Sequence, residues 1–171
     1  LFVHKIAGAL AEAGHDLEAV TAGAERVRQG VVSVGMSLDS CAVPGAPKQN
    51  RIPHGKAELG LGIHGEPGAE QVSFKDARQA MALVVGKLAP ELEDASHTAI
   101  LNNLGGVTPL EMSILADALC RSAIAGQINH LIGHAPMMTA LDMRGFSVSL
   151  LPTDQVDLAA LATPVGPTAW K

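Results

Sequence analysis

Val3, Ile6, Ala7, Leu10 and Ala13 recur every three or four residues, the spacing of one helical face, and Gly14 is placed to close that helix. Asp16 is placed to cap a second helix carrying Leu17, Val20, Ala24 and Val27, ended by Gly30. Val32, Val34, Met36 and Leu38 then alternate with Ser33, Gly35 and Ser37, which is strand spacing. Residues 41–53 hold three prolines and a glycine and read as loop. Leu59, Leu61 and Ile63 alternate again, predicting an extended run from Glu58 to His64. Ser73 and Asp76 have capping-box spacing ahead of a helical stripe of Ala77, Ala80, Met81, Val84, Val85 and Leu88, which stops near Pro90. Thr98–Leu101 is a short apolar strand running into Asn102 and Asn103. Thr108, Pro109 and Glu111 supply a cap, a proline in the first helical position and the reciprocal acid, so a helix is expected from there to about Gly126. A strand over Ile128–Gly133, an alternating strand through Phe146, Val148 and Leu150, a short helix after Asp154 and an irregular tail from Thr163 complete the pattern.

Strands and helices interleave, yet some strands alternate polar and apolar, whereas a doubly covered parallel sheet gives continuous apolar runs. The expected fold is therefore a two-layer α/β domain, a mixed β-sheet covered by helices mainly on one face. At 171 residues and 47% apolar content the chain is long enough to bury a core as a single domain.

A net charge of −5, 2% aromatic residues and no tyrosine argue against nucleic acid, which calls for clustered cations and stacking platforms. No apolar run approaches the roughly 20 residues that span a bilayer, and no signal-peptide pattern is seen. Two cysteines allow at most one disulfide and fit a reducing compartment, so a cytoplasmic location is expected. The sequence starts at Leu1 inside a helical pattern, so the expectation is a piece of a longer protein.

Candidate chemistry centres on Gly60-Leu61-Gly62-Ile63-His64-Gly65-Glu66-Pro67-Gly68. If Glu58–His64 is extended, Leu59, Leu61 and Ile63 face the core, while Glu58, Gly60, Gly62 and His64 face the other way. That second face is nearly free of side chains, with one imidazole at its end. A small ligand has room to lie on bare backbone there and touch the ring. A tight turn with a solvated histidine is the competing reading. The spacing is neither a dinucleotide-binding fingerprint nor a phosphate-binding loop. The other six histidines, His4, His15, His54, His97, His130 and His134, are scattered without a ligand pattern, so no metal site is expected. No serine-hydrolase elbow is present. Asn102 and Asn103 end a strand above a capped helix start, a common place for ligand contacts in α/β folds, though turn chemistry also accounts for them.

The segment Gly60–Gly68 resembles the signature of the dihydroxyacetone kinase family, in its substrate-binding K domain. Other blocks agree in order. Lys5-Ile6-Ala7-Gly8-Ala9 with Ala11-Glu12 is similar to the family's preceding helix, and Val32 through Cys41 and Pro44 is similar as well. Asn102-Asn103-Leu104-Gly105-Gly106 with Thr108-Pro109 and Glu111 resembles the next block. The last block is Thr139-Ala140-Leu141-Asp142-Met143-Arg144-Gly145-Phe146-Ser147, with Ala140 where the family usually has serine. The resemblance covers almost the whole chain.

In that family the histidine matching His64 adds through a ring nitrogen to the carbonyl carbon of dihydroxyacetone, giving a hemiaminal. The chemistry suits a neutral imidazole, whose ordinary pKa is about 6.5. It selects carbonyl compounds over glycerol and fixes the hydroxyl to be phosphorylated. The resemblance implies substrate contacts at Gly60, Gly62 and Gly65, with Glu58, Glu66, Asn102, Asn103, Thr139 and Asp142 as supporting or domain-interface residues. It also implies a phosphotransferase, a glycerone kinase of glycerol metabolism acting on dihydroxyacetone, glyceraldehyde or erythrulose. The family's first half of the K domain, with its acidic general base, has no match here, so this chain resembles the second half only. No cofactor is expected on it. The phosphoryl donor, ATP with Mg or a phosphotransferase-system partner, is expected on an L domain or subunit. Homodimerisation is also implied. The alternative is a non-catalytic, dihydroxyacetone-sensing paralogue that acts with a transcription regulator.

Overall fold

The computed structural model describes residues 1–40, 45, 52, 53, 55–60, 70–141 and 143–170. Along them run α1 (Phe2–Glu12), α2 (Leu17–Gly30), β1 (Val32–Ser37), β2 (Lys56–Leu59), β3 (Glu70–Ser73), α3 (Ala77–Leu88), β4 (His97–Asn103), α4 (Pro109–Cys120), β5 (Ile128–Ala135), β6 (Gly145–Pro152) and α5 (Gln155–Ala162). Single 3₁₀ turns lie at Ala89–Glu91, Ala125–Gln127 and Thr168–Trp170.

Four helices start where a side chain satisfies an amide of the first turn. Asp16 accepts from Ala19 N–H, Asp76 from Gln79 N–H and Asp154 from Asp157 N–H. At α4 the capping box is complete: Thr108 Oγ1 accepts from Glu111 N–H at 3.3 Å, and Glu111 accepts from Thr108 N–H at 3.0 Å. Asp76 alone caps α3. Ser73, paired with it in the sequence reading, instead ends β3, a strand the sequence did not announce, because Val72 is its one apolar residue. Helix α4 stops at Cys120 rather than near Gly126, and Ile124 turns into the core beyond it. Of the extended run expected over Glu58–His64, Glu58 and Leu59 lie in β2, Gly60 takes a left-handed φ of 78°, and residues 61–64 lie outside the described residues.

The sheet order is β3-β2-β1-β6-β4-β5. The β4–β5 pair is parallel, joined by the α4 crossover, and the other pairs are antiparallel. The α/β class and the mixed sheet are as the sequence implied. The layering goes further than the two layers read there. On one face Met36, Leu59, Leu101, Phe146 and Val148 pack against α3 and α4 through Met81, Val84, Val85, Met112 and Leu119. On the other face Ile100 and Leu151 meet Phe2 and Ile6 of α1, Val27 of α2 and Leu161 of α5. Helices thus cover both faces at the β6-β4 end, and every residue of β4 is buried.

Polar contacts lock this second helical layer. Arg26 of α2 forms a two-pronged pair with the buried Asp157 of α5, at 3.0 and 2.5 Å. Lys5 donates to the carbonyls of Ala160 and Thr163 at the end of α5, at 3.1 and 2.5 Å. Burial holds the Lys5 ammonium below the usual lysine range.

Two stability predictions follow from the packing. A Cβ on Gly145 would lie 2.5 Å from Met36 O and 3.0 Å from Ser37 Cα, both backbone atoms that cannot swing aside. Gly145→Ala is expected to cost about 2 kcal/mol. Gly126→Ala, with nothing within 4 Å, should be neutral or stabilising by up to about 1 kcal/mol. Urea unfolding of the two variants checks the contrast. The Thr108 amide and hydroxyl, then Arg144, hold the Glu111 carboxyl below its usual range. A lowered carboxylate pKa stabilises above the unfolded value and is lost as pH falls through the folded one. Glu111→Gln should therefore be mildly destabilising at neutral pH, and the gap to wild type should close as pH falls below the ordinary carboxylate value. Unfolding curves at pH 7 and in acid measure it.

Candidate functional site

The strand parity read from the sequence holds on β2 for the described residues Glu58 and Leu59. Leu59 and Ala57 pack into the α3/α4 core, so Glu58 faces the opposite side. Glu58 is buried there, beside Ser37 and Gln71 in the register. Gly60 continues the row: its N–H donates to Gly35 O at 2.8 Å, although it has left the strand. Leu61, Gly62, Ile63, His64, Gly65 and Glu66 lie outside the described residues, as does Asp142.

The register carries this row sideways across the sheet. Gly35 pairs with Ser147, and Ser147 with Asn102. The shared face from β2 to β4 therefore reads Gly60, Gly35, Ser147, Asn102, a floor with little side-chain bulk until the asparagine. Ser33 and Ser149 continue it and bond to each other at 2.7 Å. Gly35 and Ser147 escaped the sequence reading. The signal that would have exposed them is the polar alternation of β1 and β6, which sets glycine and serine on one face.

Asn102 lies three strand spacings from Gly60, about 14 Å. Its side chain is spent on a turn: Oδ1 accepts from Met137 N–H and Met138 N–H, both at 2.9 Å, and Nδ2 donates to Met138 O at 2.8 Å. Asn103 faces the other way. Its Oδ1 accepts from Gly105 N–H at 2.8 Å and Val107 N–H at 3.3 Å, and its Nδ2 donates to Val107 O at 2.7 Å. Thr139 is exposed and packs on Gly105, which has a φ of 129°. The structure thus gathers Asn102, Asn103 and Thr139 at the end of β4, and Glu58 with Gly60 on β2, with β1 and β6 between the two groups.

Among the described residues no three His, Cys, Asp or Glu side chains converge as a metal site, and no helix is long and apolar enough to cross a membrane. Cys120 is an exposed free thiol, and Cys41 lies outside the described residues.

The chain is 39% identical over 175 residues to dihydroxyacetone kinase of Citrobacter freundii, covering 99% of this chain and 31% of that protein. It is 35% identical over 182 residues to the triokinase/FMN cyclase of Bos taurus, again covering 99% of this chain and 31% of the relative. The chain therefore spans about a third of the length of these relatives. A crystal structure of the C. freundii dihydroxyacetone kinase, in complex with AMP-PNP and Mg²⁺, superposes with a TM-score of 0.90 at 40% identity, over 96% of this chain and 31% of that one. A family model for the Dak1 domain matches residues 1–169, and the chain belongs to that family.

Proposed function

We propose that this chain is the substrate-binding part of a kinase for dihydroxyacetone or a related short keto- or aldo-sugar, and that His64 holds the carbonyl. The observation that carries this is the Dak1 match over residues 1–169 together with 39% identity to an enzyme named dihydroxyacetone kinase. The site's local geometry supports it. Strand β2 leads to Gly60 beside Gly35, where two neighbouring residues carry no side chain.

The unprotonated ring nitrogen of His64 adds to the carbonyl carbon. The carbonyl oxygen takes a proton, and the other ring nitrogen gives one up. No group leaves, so the hemiaminal keeps every atom of the sugar. In this reading Gly60, Gly62 and Gly65 are the substrate contacts, and Glu58 and Glu66 have a supporting role. Asn102, Asn103 and Thr139 act from further away, through the connections they hold, and Asp142 is assigned the same supporting role. The covalent bond fixes which hydroxyl is presented for phosphoryl transfer. In this reading the chain is the second half of the substrate-binding domain, and the phosphoryl donor sits on an L domain or subunit. The working protein is a cytoplasmic homodimer in this reading.

The purified chain, mixed with dihydroxyacetone and examined by native mass spectrometry, is expected to gain the full mass of the sugar without loss of water. Glycerol should give no such species, and neither should His64→Ala. An equal adduct on His64→Ala, or an imine mass, overturns the histidine assignment. The chain alone is expected to show no phosphorylation of dihydroxyacetone with ATP and Mg²⁺ in a coupled ADP assay.

A further inference from the structure

Where the first turn of α1 meets the sheet, a cavity of about 160 Å³ lies on the face opposite α3 and α4. Strand parity fixes which side chains reach it. Val32 and Val34 of β1 and Val148 and Leu150 of β6 pack on the α3/α4 side, so Ser33, Ser147 and Ser149 point to the other. Register sets them side by side. Ser33 pairs with Ser149 and Ser149 with Ile100, while Ser147 pairs with Asn102. Ile100 and Phe2 supply apolar wall. Gly60 and Gly35 do not line the cavity, and Ser147 lies two strand spacings, about 10 Å, from Gly60. The cavity is therefore separate from the candidate carbonyl site.

No charged side chain is among the described residues that line it, so its polarity is hydroxyl and amide. The buried Asn102 sets the direction of the bonds. Its Oδ1 is spent on Met137 N–H and Met138 N–H, and one Nδ2 hydrogen goes to Met138 O at 2.8 Å. The second Nδ2 hydrogen is left for Ser147 Oγ, at 3.4 Å. Ser147 Oγ is thus an acceptor, and its own hydrogen has no acceptor among the described residues. Ser33 and Ser149 share one bond at 2.7 Å, in which one hydroxyl donates and the hydrogen of the other is left over. The cavity therefore offers two hydroxyl donors, each beside open lone pairs, about 7 Å apart along the strand direction.

We propose that this cavity binds a small neutral polyol of three or four carbons, with hydroxyls on Ser147 and on the Ser33–Ser149 pair and its carbon chain against Ile100 and Phe2. The volume is that of about five water molecules, which suits a molecule of this size. A carboxylate, phosphate or amine would enter without a counter-charge and lose its hydration, so charged sugars are refused. Binding here uses hydrogen bonds and no carbonyl, so the site is independent of the chemistry assigned to His64.

Amide NMR spectra of the isotope-labelled full chain, titrated with glycerol, test the assignment. Glycerol has no carbonyl, so a response to it does not come from hemiaminal formation. The amides of Ser33, Ser147 and Ser149 are expected to shift saturably, with a Kd on the order of 10 mM for so small a ligand. The alcohol n-propanol, with the same carbon chain and one hydroxyl, should bind about fivefold more weakly. Ser147→Ala and Ser149→Ala, each at a half-buried position, should each weaken glycerol about fivefold, and the same spectra report whether each variant is folded. Shifts that rise without saturating, equal affinity for n-propanol, or glycerol binding unchanged in both serine variants would each overturn the proposal.

Discussion

The end of the sheet where β4 hands over to α4 and β5 to β6 depends on two adjacent buried amides. Asn102 and Asn103 end β4, and neighbouring strand residues point to opposite faces. An unsatisfied buried polar group costs about 1–3 kcal/mol, so each amide must find partners in whatever chain lies on its own side. Asn103 finds Gly105 and Val107, shaping the turn that delivers Thr108 to the start of α4. Asn102 finds Met137 and Met138, shaping the exit from β5. The two turns are then laced together. Ala140 N–H donates to Leu104 O at 3.0 Å, Gly106 N–H to Met143 O at 2.8 Å and Leu104 N–H to Gly145 O at 3.0 Å. Close approach here requires glycine, because a Cβ on Gly106 would lie 3.1 Å from Met143 O. The Glu111–Arg144 pair closes the same knot from outside.

Much of this was legible in the chain because its causes are local. Asp16, Asp76, Asp154 and the Thr108–Glu111 box fix helix starts through bonds spanning three residues. Strands β1 and β6 declare themselves by alternation, since one face is core and the other polar. What stayed hidden has non-local causes. Glu70–Ser73 becomes a strand by pairing with β2, which no property of its four residues announces. The second helical layer was written in Ile100 and Leu151, apolar residues beside core-facing Leu101 and Leu150. Reading them that way requires knowing that β4 lies inside the sheet. At the candidate site, parity placed Glu58 and Gly60 on the face away from the core. The neighbouring Gly35 and Ser147 come into that row only through register across three strands.

The same register argues that the two ends of β2 work separately. From Lys56 to Gly60 is four residues, about 14 Å of extended chain. For a ligand at one end to act on the other, β2 would have to slide. It is held by four register pairs to β3 and two to β1. A slip of one residue would carry Ala57 and Leu59 out of the α3/α4 core and drive Glu58 into it. A carboxylate in that core would lose its polar surroundings, and a leucine would be left on the polar face. The strand therefore has one low-energy register, and a strand with one register does not transmit by sliding. What it supplies instead is position: the same alternation that anchors Ala57 and Leu59 in the core keeps Glu58 and Gly60 on the opposite face of the sheet.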